Sequence, residues 1–470
     1  MRVIIFGTGQ YWNNRKKYIL EACDIVCFLD NNSDKWKQEF CGVLIDSPEN
    51  ILHYEFDYVV IMCKKQQEVY HQLVDFSVPE HKIITYNEFK QIGLNKYYVR
   101  YGKCEDTYYD VIAISTALDY NGGTIAAVYA VKALQRSGNK VLLCAPDCND
   151  KMIDELTTNN LEILIAPSLP VAINDVLMDY IRSSRIVLVN VLQMLPLTCR
   201  LNGLKPLLWW IHEPKELYEP VLEEFSEYGN QKFFDKTNIA AVSKIARNNF
   251  NEHFPHSIKK TLPYAIPDLK INENTEKRTN KEIAFALIGI VNERKAQDIF
   301  IKSIKQLSNE EIDKSRFYII GSYDSGEYAS RIIEESKKLK NIIVTGNLTR
   351  EEMNNIYSKI DIVVCPSRED PLPIVMTEAM MYRKPCIASD STGTADYIRD
   401  GINGFVCKTE DSEDLCEKMR YFIHHQEKIE IMGAEARKVY EKYFTMDKFA
   451  DRLNDTLQET ISLFNDKMNL

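Results

Sequence analysis

Residues 362–380 read Ile-Val-Val-Cys365-Pro-Ser-Arg-Glu-Asp370-Pro-Leu-Pro-Ile-Val-Met-Thr-Glu378-Ala-Met, and this stretch decides the fold. Its first four residues are a short apolar run that predicts a buried strand, and the residues after Pro373 predict a helix. A strand, a short loop and a helix in this order are typical of α/β units with a parallel sheet. Ligands of such sheets bind beyond the carboxyl ends of the strands, where this loop lies.

The same alternation of short apolar runs and helical stretches begins three times along the 470 residues. It therefore predicts an α/β protein with three successive parallel sheets and crossover helices. The polar, Tyr-rich segment 95–107 is interpreted as a linker. The predicted strands are 2–6, 25–29, 58–62, 82–85, 111–115, 140–145, 161–165, 186–190, 207–211, 238–242, 283–288, 317–321, 342–345, 362–365 and 386–388. The predicted domains are residues 1–95, residues 107–266 together with a C-terminal helix at 448–466, and residues 280–447.

Composition limits the class of protein. Hydrophobic residues make up 45% and charged residues 27%, which is ordinary for globular proteins. The net charge of −10 argues against sequence-independent nucleic-acid binding. We find neither a signal peptide at the N-terminus nor an apolar run of membrane-spanning length. The 12 Cys include no Cys-x-x-Cys pair, and we interpret those in apolar runs as core residues of a reducing compartment. We therefore expect a cytoplasmic protein.

The loop and helix that follow residue 365 combine features suited to a diphosphate. A helix N-terminus offers unpaired backbone N–H groups and the positive end of the helix dipole. Asp370 precedes the predicted helix and Glu378 lies one turn inside it, so both carboxylates can face one ligand. The chain contains no Asp-x-Asp motif, so we expect no metal clamp and a metal-independent reaction.

This stretch resembles the acidic-x7-Glu signature of family 4 retaining glycosyltransferases. Further motifs follow the family order over roughly residues 111–464, namely Gly289 with Arg294-Lys295, then Val-Thr-Gly at 344–346 and Lys384-Pro385. The resemblance implies a fold of the GT-B type with two facing Rossmann-like domains, here preceded by a small N-terminal Rossmann-like domain. It also implies that a nucleotide-sugar donor, most commonly a UDP-sugar, binds to the last domain without another cofactor.

The resemblance assigns roles to individual residues. Glu378 would bind the donor ribose and Asp370 would contact the transferred sugar. The backbone N–H groups of Ile374 and Val375 would hold the diphosphate, and Lys295 with Arg294 would neutralise it. The leaving phosphate oxygen would accept the proton of the acceptor hydroxyl on the same face of the sugar. Four positions depart from the family pattern: Asp370 replaces Glu, Pro373 and Ala296 replace Gly, and Ile290 replaces Arg.

Two further motifs end predicted strands of the middle domain. Gly122 and Gly123 follow the first strand, and glycines allow close approach of the backbone to a ligand. Because they lie at the edge of the predicted sheet, we interpret them as part of the donor site; a tight strand-to-helix turn is the alternative. His212 follows the strand 207–211 and is a candidate for orienting an acceptor hydroxyl. A structural His at a strand end is the alternative.

The N-terminal residues form an incomplete dinucleotide fingerprint. Gly7 and Gly9 follow the first strand, but Trp12 stands where the third glycine belongs. Asp30 lies 21 residues after Gly9, near the spacing of a ribose-binding acid. These residues are candidates for nucleotide binding, and a structural or oligomerising domain is the alternative.

The sequence thus predicts a hexosyltransferase-like retaining glycosyltransferase. Its acceptor would be a glycan, a lipid-linked molecule or a cell-wall polymer in bacterial surface polysaccharide or teichoic-acid synthesis. A homo-oligomer, and peripheral contact with the inner face of the plasma membrane, stay open. The basic residues considered for that contact are 15–17, 247, 259 and 260. Two alternatives are a bifunctional enzyme whose N-terminal domain binds NAD or a nucleotide sugar, and a non-catalytic partner subunit.

Overall fold

The computed structural model describes residues 1–103, 108–269 and 282–468, which form three β-sheets flanked by helices. Two compact units are distinguished within these residues. The first comprises residues 1–119, 141–187 and 193–205, and the second comprises residues 120–140, 188–192 and 206 onwards. The α/β fold class predicted from the sequence is confirmed.

The first sheet has six strands in the order β3-β4-β2-β1-β5-β6. All its pairs are parallel except β3 with β4. Its apolar side chains, including Ile4, Leu29 and Val59, form a buried core against the helices. The elements are β1 (Arg2–Phe6), α1 (Gln10–Asn13), α2 (Lys16–Ala22), β2 (Asp24–Leu29), β3 (Glu39–Phe40), β4 (Val43–Asp46), β5 (Tyr58–Ile61), α3 (Gln66–Asp75), β6 (Ile83–Thr85) and α4 (Tyr86–Ile92).

The second sheet has eight strands in the order β14-β13-β12-β11-β8-β9-β10-β7. The elements are β7 (Val99–Tyr101), β8 (Val111–Ile114), α5 (Gly122–Arg136), β9 (Val141–Ala145), α6 (Asp150–Thr158), β10 (Glu162–Ile165), α7 (Asp175–Ser183), β11 (Ile186–Asn190), α8 (Leu195–Leu201), β12 (Leu207–Ile211), α9 (Tyr218–Glu224), β13 (Asn238–Ala241), α10 (Lys244–His253) and β14 (Lys260–Thr261).

The interpretation of segment 95–107 as a linker is wrong for residues 99–101. These residues form β7, which pairs antiparallel with β10 at the edge of the sheet. An edge strand needs a partner on one side only, so a short polar segment can fill the position. Gly102 follows with a φ of 88°. Residues 104–107 of the predicted linker lie outside the described residues.

The third sheet has six parallel strands in the order β17-β16-β15-β18-β19-β20. The elements are β15 (Ile283–Ile288), α11 (Gln297–Lys305), α12 (Asn309–Asp313), β16 (Ser315–Ile320), α13 (Glu327–Lys337), β17 (Ile342–Gly346), α14 (Arg350–Tyr357), β18 (Ile362–Cys365), α15 (Ile374–Met381), β19 (Cys386–Ser389), β20 (Gly404–Cys407), α16 (Ser412–His424), α17 (Glu427–Tyr443) and α18 (Met446–Met468).

The last helix, α18, packs against elements of the second sheet. The Phe449 ring lies 5.6 Å from that of Trp210 on β12. Asn454 accepts a hydrogen bond from Asn139 just beyond α5, and Thr460 accepts one from Asn238 on β13. These contacts, all within the second unit, attach α18 to the second sheet and not to the third sheet, which precedes it in the chain.

The helix α11 begins after a break in the backbone. Residues 293–295 form a 3-10 turn, and α11 starts only at Gln297. Ala296 between them has a φ of 56°, the left-handed region that glycine prefers. This break turns the side chains of residues 294 and 295 away from the helix axis and toward the loop after β18, as the contacts below show.

Candidate functional site

Two cations converge on one carboxylate at the carboxyl edge of the third sheet. The Lys295 Nζ lies 2.5 Å from an Asp370 carboxylate oxygen, and the Arg294 guanidinium lies 3.3 Å from the same oxygen. The Lys295 side chain reaches Asp370 across Gly289, where an added Cβ would stand 3.3 Å from the lysine stem. The site therefore pairs two positive charges with a buried carboxylate, whose side chain is 9% exposed.

The backbone fixes the position of Asp370. Its N–H donates to the Ser391 carbonyl, and its own carbonyl accepts from the N–H of Gly393. A side chain at position 393 would place its Cβ 1.8 Å from the Pro371 carbonyl oxygen. Only glycine allows the two loops to approach this closely, so the position of Asp370 depends on a residue 23 positions later.

The first turn of α15 follows Asp370 closely in the sequence. Pro373 occupies the N-cap position and its side chain has no polar atom with which to cap the helix. The N–H groups of Ile374 and Val375 receive no cap from this side chain and lie at the positive end of the helix dipole. A Cβ on Gly122 would stand 3.9 Å from Ile374 Cδ1, so the glycine loop that begins α5 lies next to this turn.

Glu378 lies one helical turn further along α15. It is 4% exposed and accepts a hydrogen bond of 3.0 Å from the Tyr357 hydroxyl. The Tyr357 ring in turn stacks on Tyr382, with centroids 4.5 Å apart. The carboxylate is thus oriented by a buried tyrosine of α14, which the sequence reasoning did not identify.

A second set of contacts surrounds Arg294 and was also missed. Glu216, in the loop after β12, places a carboxylate oxygen 2.9 Å from Arg294 Nε. The neighbouring Glu369 accepts hydrogen bonds of 2.7 Å from the Asn249 amide and from the Lys215 N–H. Each of these contacts joins two residues that lie 75 or more positions apart in the chain, so no local motif indicates them.

His212 and Glu213 end the strand β12 in an apolar setting. Burial lowers the pKa of His212 to about 3, and its Nε2 has no hydrogen-bond partner among the described residues. Burial also raises the pKa of Glu213 to about 7, although backbone N–H groups of residues 192, 212 and 213 oppose that shift. His212 is therefore an uncharged imidazole at neutral pH, and it stays a candidate for contact with an acceptor.

The N-terminal candidates are already engaged with one another. Asp30 accepts hydrogen bonds from the Thr8 hydroxyl and from Lys35, whose Nζ lies 2.8 Å away. A Cβ at Gly7 would stand 2.7 Å from the Met62 carbonyl oxygen, whereas Gly9 has open space around it. The close approach of two strand ends explains Gly7, and a ribose hydroxyl would have to displace Lys35 from Asp30.

Among the basic residues considered for membrane contact, two are paired internally. Lys17 lies 2.9 Å from Asp150, and Lys260 lies 2.5 Å from Glu459. Across the described ranges, we find no helix that combines the length and apolar character of a bilayer span. The same ranges contain no group of three or more His, Cys, Asp or Glu side chains placed to hold a metal ion.

The geometry at the third sheet suits an anion with two phosphates and a sugar. Fixed N–H donors and two cations can stabilise charge that develops on a departing diphosphate. The paired carboxylate lies beside the cations, where it can contact polar hydroxyls of the transferred group. The arrangement thus brings two cations, a carboxylate and the start of a helix together at one edge of the sheet.

Comparison with protein families agrees with this chemistry. Residues 269–439 match the family described as glycosyl transferases group 1, and residues 1–84 match the family described as C2185-like, N-terminal. The first match contains Arg294, Lys295, Asp370 and Glu378.

Curated relatives are similar to parts of the chain. The sulfoquinovosyl transferase SQD2 of Arabidopsis thaliana is 36% identical over 104 residues, which is 22% of this chain and 20% of the relative. The uncharacterized glycosyltransferase MJ1178 of Methanocaldococcus jannaschii is 27% identical over 220 residues, or 45% and 56% of the two chains. The chain thus spans between about a fifth and just over half the length of these relatives.

Solved structures extend the similarity to the fold. The structure of Anabaena Alr3699/HepE in complex with UDP superimposes with a TM-score of 0.61 at 15% identity and covers 74% of this chain and 100% of its own. At this identity the likeness concerns the fold alone. The chain therefore has a fold of the GT-B type, and its match to the family described as glycosyl transferases group 1 extends over residues 269–439.

Proposed function

We propose that the protein is a retaining glycosyltransferase of the family 4 type that uses a nucleotide-diphosphate sugar. The observation that carries this proposal is the convergence of Arg294 and Lys295 on Asp370 next to the open first turn of α15. A departing diphosphate needs a cationic, preorganised site, and these groups supply one without a metal ion.

The donor would lie along α15. Its diphosphate would accept hydrogen bonds from the Ile374 and Val375 N–H groups and approach the glycines at 122 and 123. Lys295 and Arg294 would exchange part of their contact with Asp370 for the phosphates. Glu378, oriented by Tyr357, would accept hydrogen bonds from the two ribose hydroxyls.

The transferred sugar would lie between the diphosphate and Asp370. Retention of configuration follows if a phosphate oxygen of the leaving group accepts the proton of the acceptor hydroxyl on the same face of the sugar. His212 is uncharged at neutral pH because burial lowers its pKa to about 3, so it would orient the acceptor rather than carry charge. UDP is the favoured nucleotide, since a protein of the same fold binds UDP and UDP-glucose.

The acceptor would be a glycan, a lipid-linked molecule or a cell-wall polymer, and the protein would act in the cytoplasm. The N-terminal domain would serve a structural or oligomerising role. Asp30, the candidate ribose-binding acid, is held by Thr8 and Lys35, which argues against a nucleotide at this position.

A panel of nucleotide sugars tests the proposal. A donor that binds the native state should raise the melting temperature by mass action. NMR of the released or transferred sugar should then show the anomeric configuration of the donor. Glu378→Ala and Lys295→Ala should abolish both effects. Lys302→Ala is a matched control, because Lys302 is an exposed lysine on α11 that pairs with Asp298.

Two results would overturn the proposal. An inverted anomeric configuration in the product would exclude the retaining mechanism. Binding without transfer or hydrolysis of any donor would favour the non-catalytic partner subunit.

A further inference from the structure

The loop after β11 contains a residue in an unfavourable backbone conformation. Val191 has a φ of 71°, and it is the only β-branched residue among the non-glycine residues of positive φ in the described chain. A β-branched side chain in this region clashes with its own backbone, so the conformation is strained. Such a conformation persists only where neighbouring groups impose it.

Three contacts from β12 and its end impose this conformation. The Val191 N–H donates to the Trp210 carbonyl at 2.9 Å, and the Val191 carbonyl accepts from the Trp209 indole at 2.8 Å. The next N–H, that of Leu192, interacts with the Glu213 carboxylate and favours its ionised form. That carboxylate is 3% exposed and also accepts from the His212 N–H at 2.9 Å.

The strained residue supports the glycine loop of the proposed donor site. Val191 Cγ1 lies 3.1 Å from the position that a Cβ on Gly123 would occupy. The Asn190 amide donates to the Gly123 carbonyl at 2.9 Å. Gly122 approaches Ile374 at the first turn of α15. A continuous set of contacts therefore leads from Glu213 to the helix end that would hold the diphosphate.

We propose that Glu213 is a positioning residue whose ionised carboxylate holds Leu192 and the strained Val191 in place and thereby fixes the Gly122-Gly123 loop for the donor diphosphate. This inference rests on the proposed function and assigns to the donor site a residue that does not touch the donor. A carboxylate accepts hydrogen bonds from several N–H groups at once, whereas a protonated carboxyl must direct its own O–H away from them.

The ionisation of Glu213 falls within the physiological range, since burial raises its pKa to about 7. The charged and titratable groups around it are few. His212 is uncharged, the buried Tyr218 of α9 interacts with Glu213 electrostatically, and Glu369 lies across Asn249, which also donates to the Glu213 carbonyl. None of these groups supplies a positive charge that would keep Glu213 ionised in acid, so the loop should loosen as the pH falls through about 7.

Donor affinity as a function of pH tests the inference. The probe is the tightest-binding of UDP-glucose, UDP-N-acetylglucosamine and GDP-mannose, whose esterified diphosphates do not titrate near neutral pH. Binding to the wild type by calorimetry should weaken on the order of tenfold between pH 8.5 and pH 5.5. Glu213→Gln should bind the nucleotide sugar weakly at both pH values. The amide N–H₂ group is a donor, so it would face a backbone N–H whose hydrogen bond the carboxylate accepted.

A rescue variant separates positioning from general damage. Glycine adopts a positive φ without strain, so Val191→Gly in the Glu213→Gln background should recover most of the affinity and show no pH step. Glu311→Gln is the matched control, since it removes another buried carboxylate, one whose pKa of about 2 keeps it ionised throughout this range. It should retain the wild-type profile.

Hydrogen exchange of the free protein provides a readout without a ligand. After correction for the intrinsic pH dependence, the Leu192 amide should become more protected above pH 7 in the wild type and show no such change in Glu213→Gln. An unchanged affinity profile in Glu213→Gln, or no rescue by Val191→Gly, would overturn the positioning role and leave the proposed function intact. If none of the three nucleotide sugars bound to the wild type at any pH, that result would overturn the proposed function. Hydrogen exchange of the Leu192 amide would still decide whether Glu213 holds this residue in place.

Discussion

The Lys295 ammonium and the Asp370 carboxylate are in direct contact, 2.5 Å apart. Arg294 approaches the same carboxylate, and both cations belong to the turn before α11. In a buried pair of this kind the mutual attraction offsets the desolvation of the two charges, and removal of one partner leaves the other charge uncompensated. A diphosphate would therefore enter by competing with Asp370 for two cations rather than by filling an uncommitted site.

This competition predicts opposite effects of Asp370→Asn on binding and on turnover. Loss of the negative charge should release Lys295, so a nucleotide sugar should bind several-fold more tightly. Transfer should slow on the order of 100-fold, as for removal of one preorganised polar group in an active site. Calorimetry and initial rates measure the two effects. The control is Glu335→Gln, which breaks the 2.6 Å ion pair between Lys305 on α11 and Glu335 on α13. It should change neither donor binding nor the transfer rate. Weaker donor binding by Asp370→Asn would contradict the competition.

Glu216 should act as a milder competitor. Its carboxylate lies 2.9 Å from Arg294 Nε, but its side chain is 56% exposed, so solvent screens the interaction. Glu216→Gln should tighten donor binding by roughly threefold at low ionic strength, and the gain should shrink in 0.5 M salt. Glu219→Gln, an exposed acid in the first turn of α9, serves as the control. A gain that is independent of salt would argue against an electrostatic origin.

Tyr357→Phe should weaken donor binding while leaving the chemical step largely intact. The substitution removes the hydrogen bond to Glu378 and lets that buried carboxylate turn away from the ribose. A hydrogen bond to a charged group contributes about 1.5–3 kcal/mol, so we expect the donor KM to rise on the order of tenfold. Steady-state kinetics measures this. The control is Tyr382→Phe. It keeps the ring that stacks on Tyr357 and loses the hydroxyl that donates to Asn354, so the donor KM should stay near the wild-type value.

Gly393→Ala should displace the loop that holds Asp370. The added Cβ would stand 1.8 Å from the Pro371 carbonyl oxygen and 2.8 Å from Ser243 Cβ, so the backbone must move. Overpacking of this kind costs about 1–3 kcal/mol. Urea unfolding should report this loss of stability. The transfer rate should fall by a larger factor than the destabilisation alone would cause, because Asp370 shifts. Gly9→Ala, where nothing lies within 4 Å of the added Cβ, should unfold like the wild type.

Acid should remove a stabilising contribution from Glu311. Burial opposes its ionisation, but hydrogen bonds from Ser308, His424 and Arg420 lower its pKa from 4.5 to about 2. A carboxylate with a lowered folded-state pKa stabilises the fold above its unfolded pKa and loses that effect as the pH falls toward the folded value. Relative to wild type, Glu311→Gln should therefore lower the free energy of unfolding by about 3 kcal/mol at pH 7 and much less at pH 3.

The exposed neighbour Glu310 provides the control for this prediction. It also pairs with a lysine, Lys314 at 2.6 Å, but in full contact with solvent. Urea unfolding of Glu310→Gln should follow the wild type at both pH values. A pH-independent loss in Glu311→Gln would indicate damaged packing instead of a lost charge.

The sequence determined most of the strands and the place of the candidate site, but not β3, β4, β7, β14 and β20, which lie at or next to the edges of their sheets. Apolar runs such as 2–6, 283–288 and 362–365 coincide with observed strands because burial between helices requires continuous apolar residues over a short length. The capping box from Thr349 to Glu352 at the start of α14 is likewise local, since its hydrogen bonds join residues three positions apart. Patterns of this kind are local, so they can be recognised without knowledge of the fold.

Only the tertiary structure decided how the charged groups pair. The contacts of Lys295 with Asp370, Arg294 with Glu216 and Tyr357 with Glu378 join residues 21 to 78 positions apart. Nor does any sequence pattern mark Val191 as strained or Glu213 as buried, because a residue's backbone strain and pKa depend on what surrounds it after folding. Local order follows from side-chain type and spacing, whereas the electrostatics of the site follow from desolvation and from partners that only the folded chain brings together.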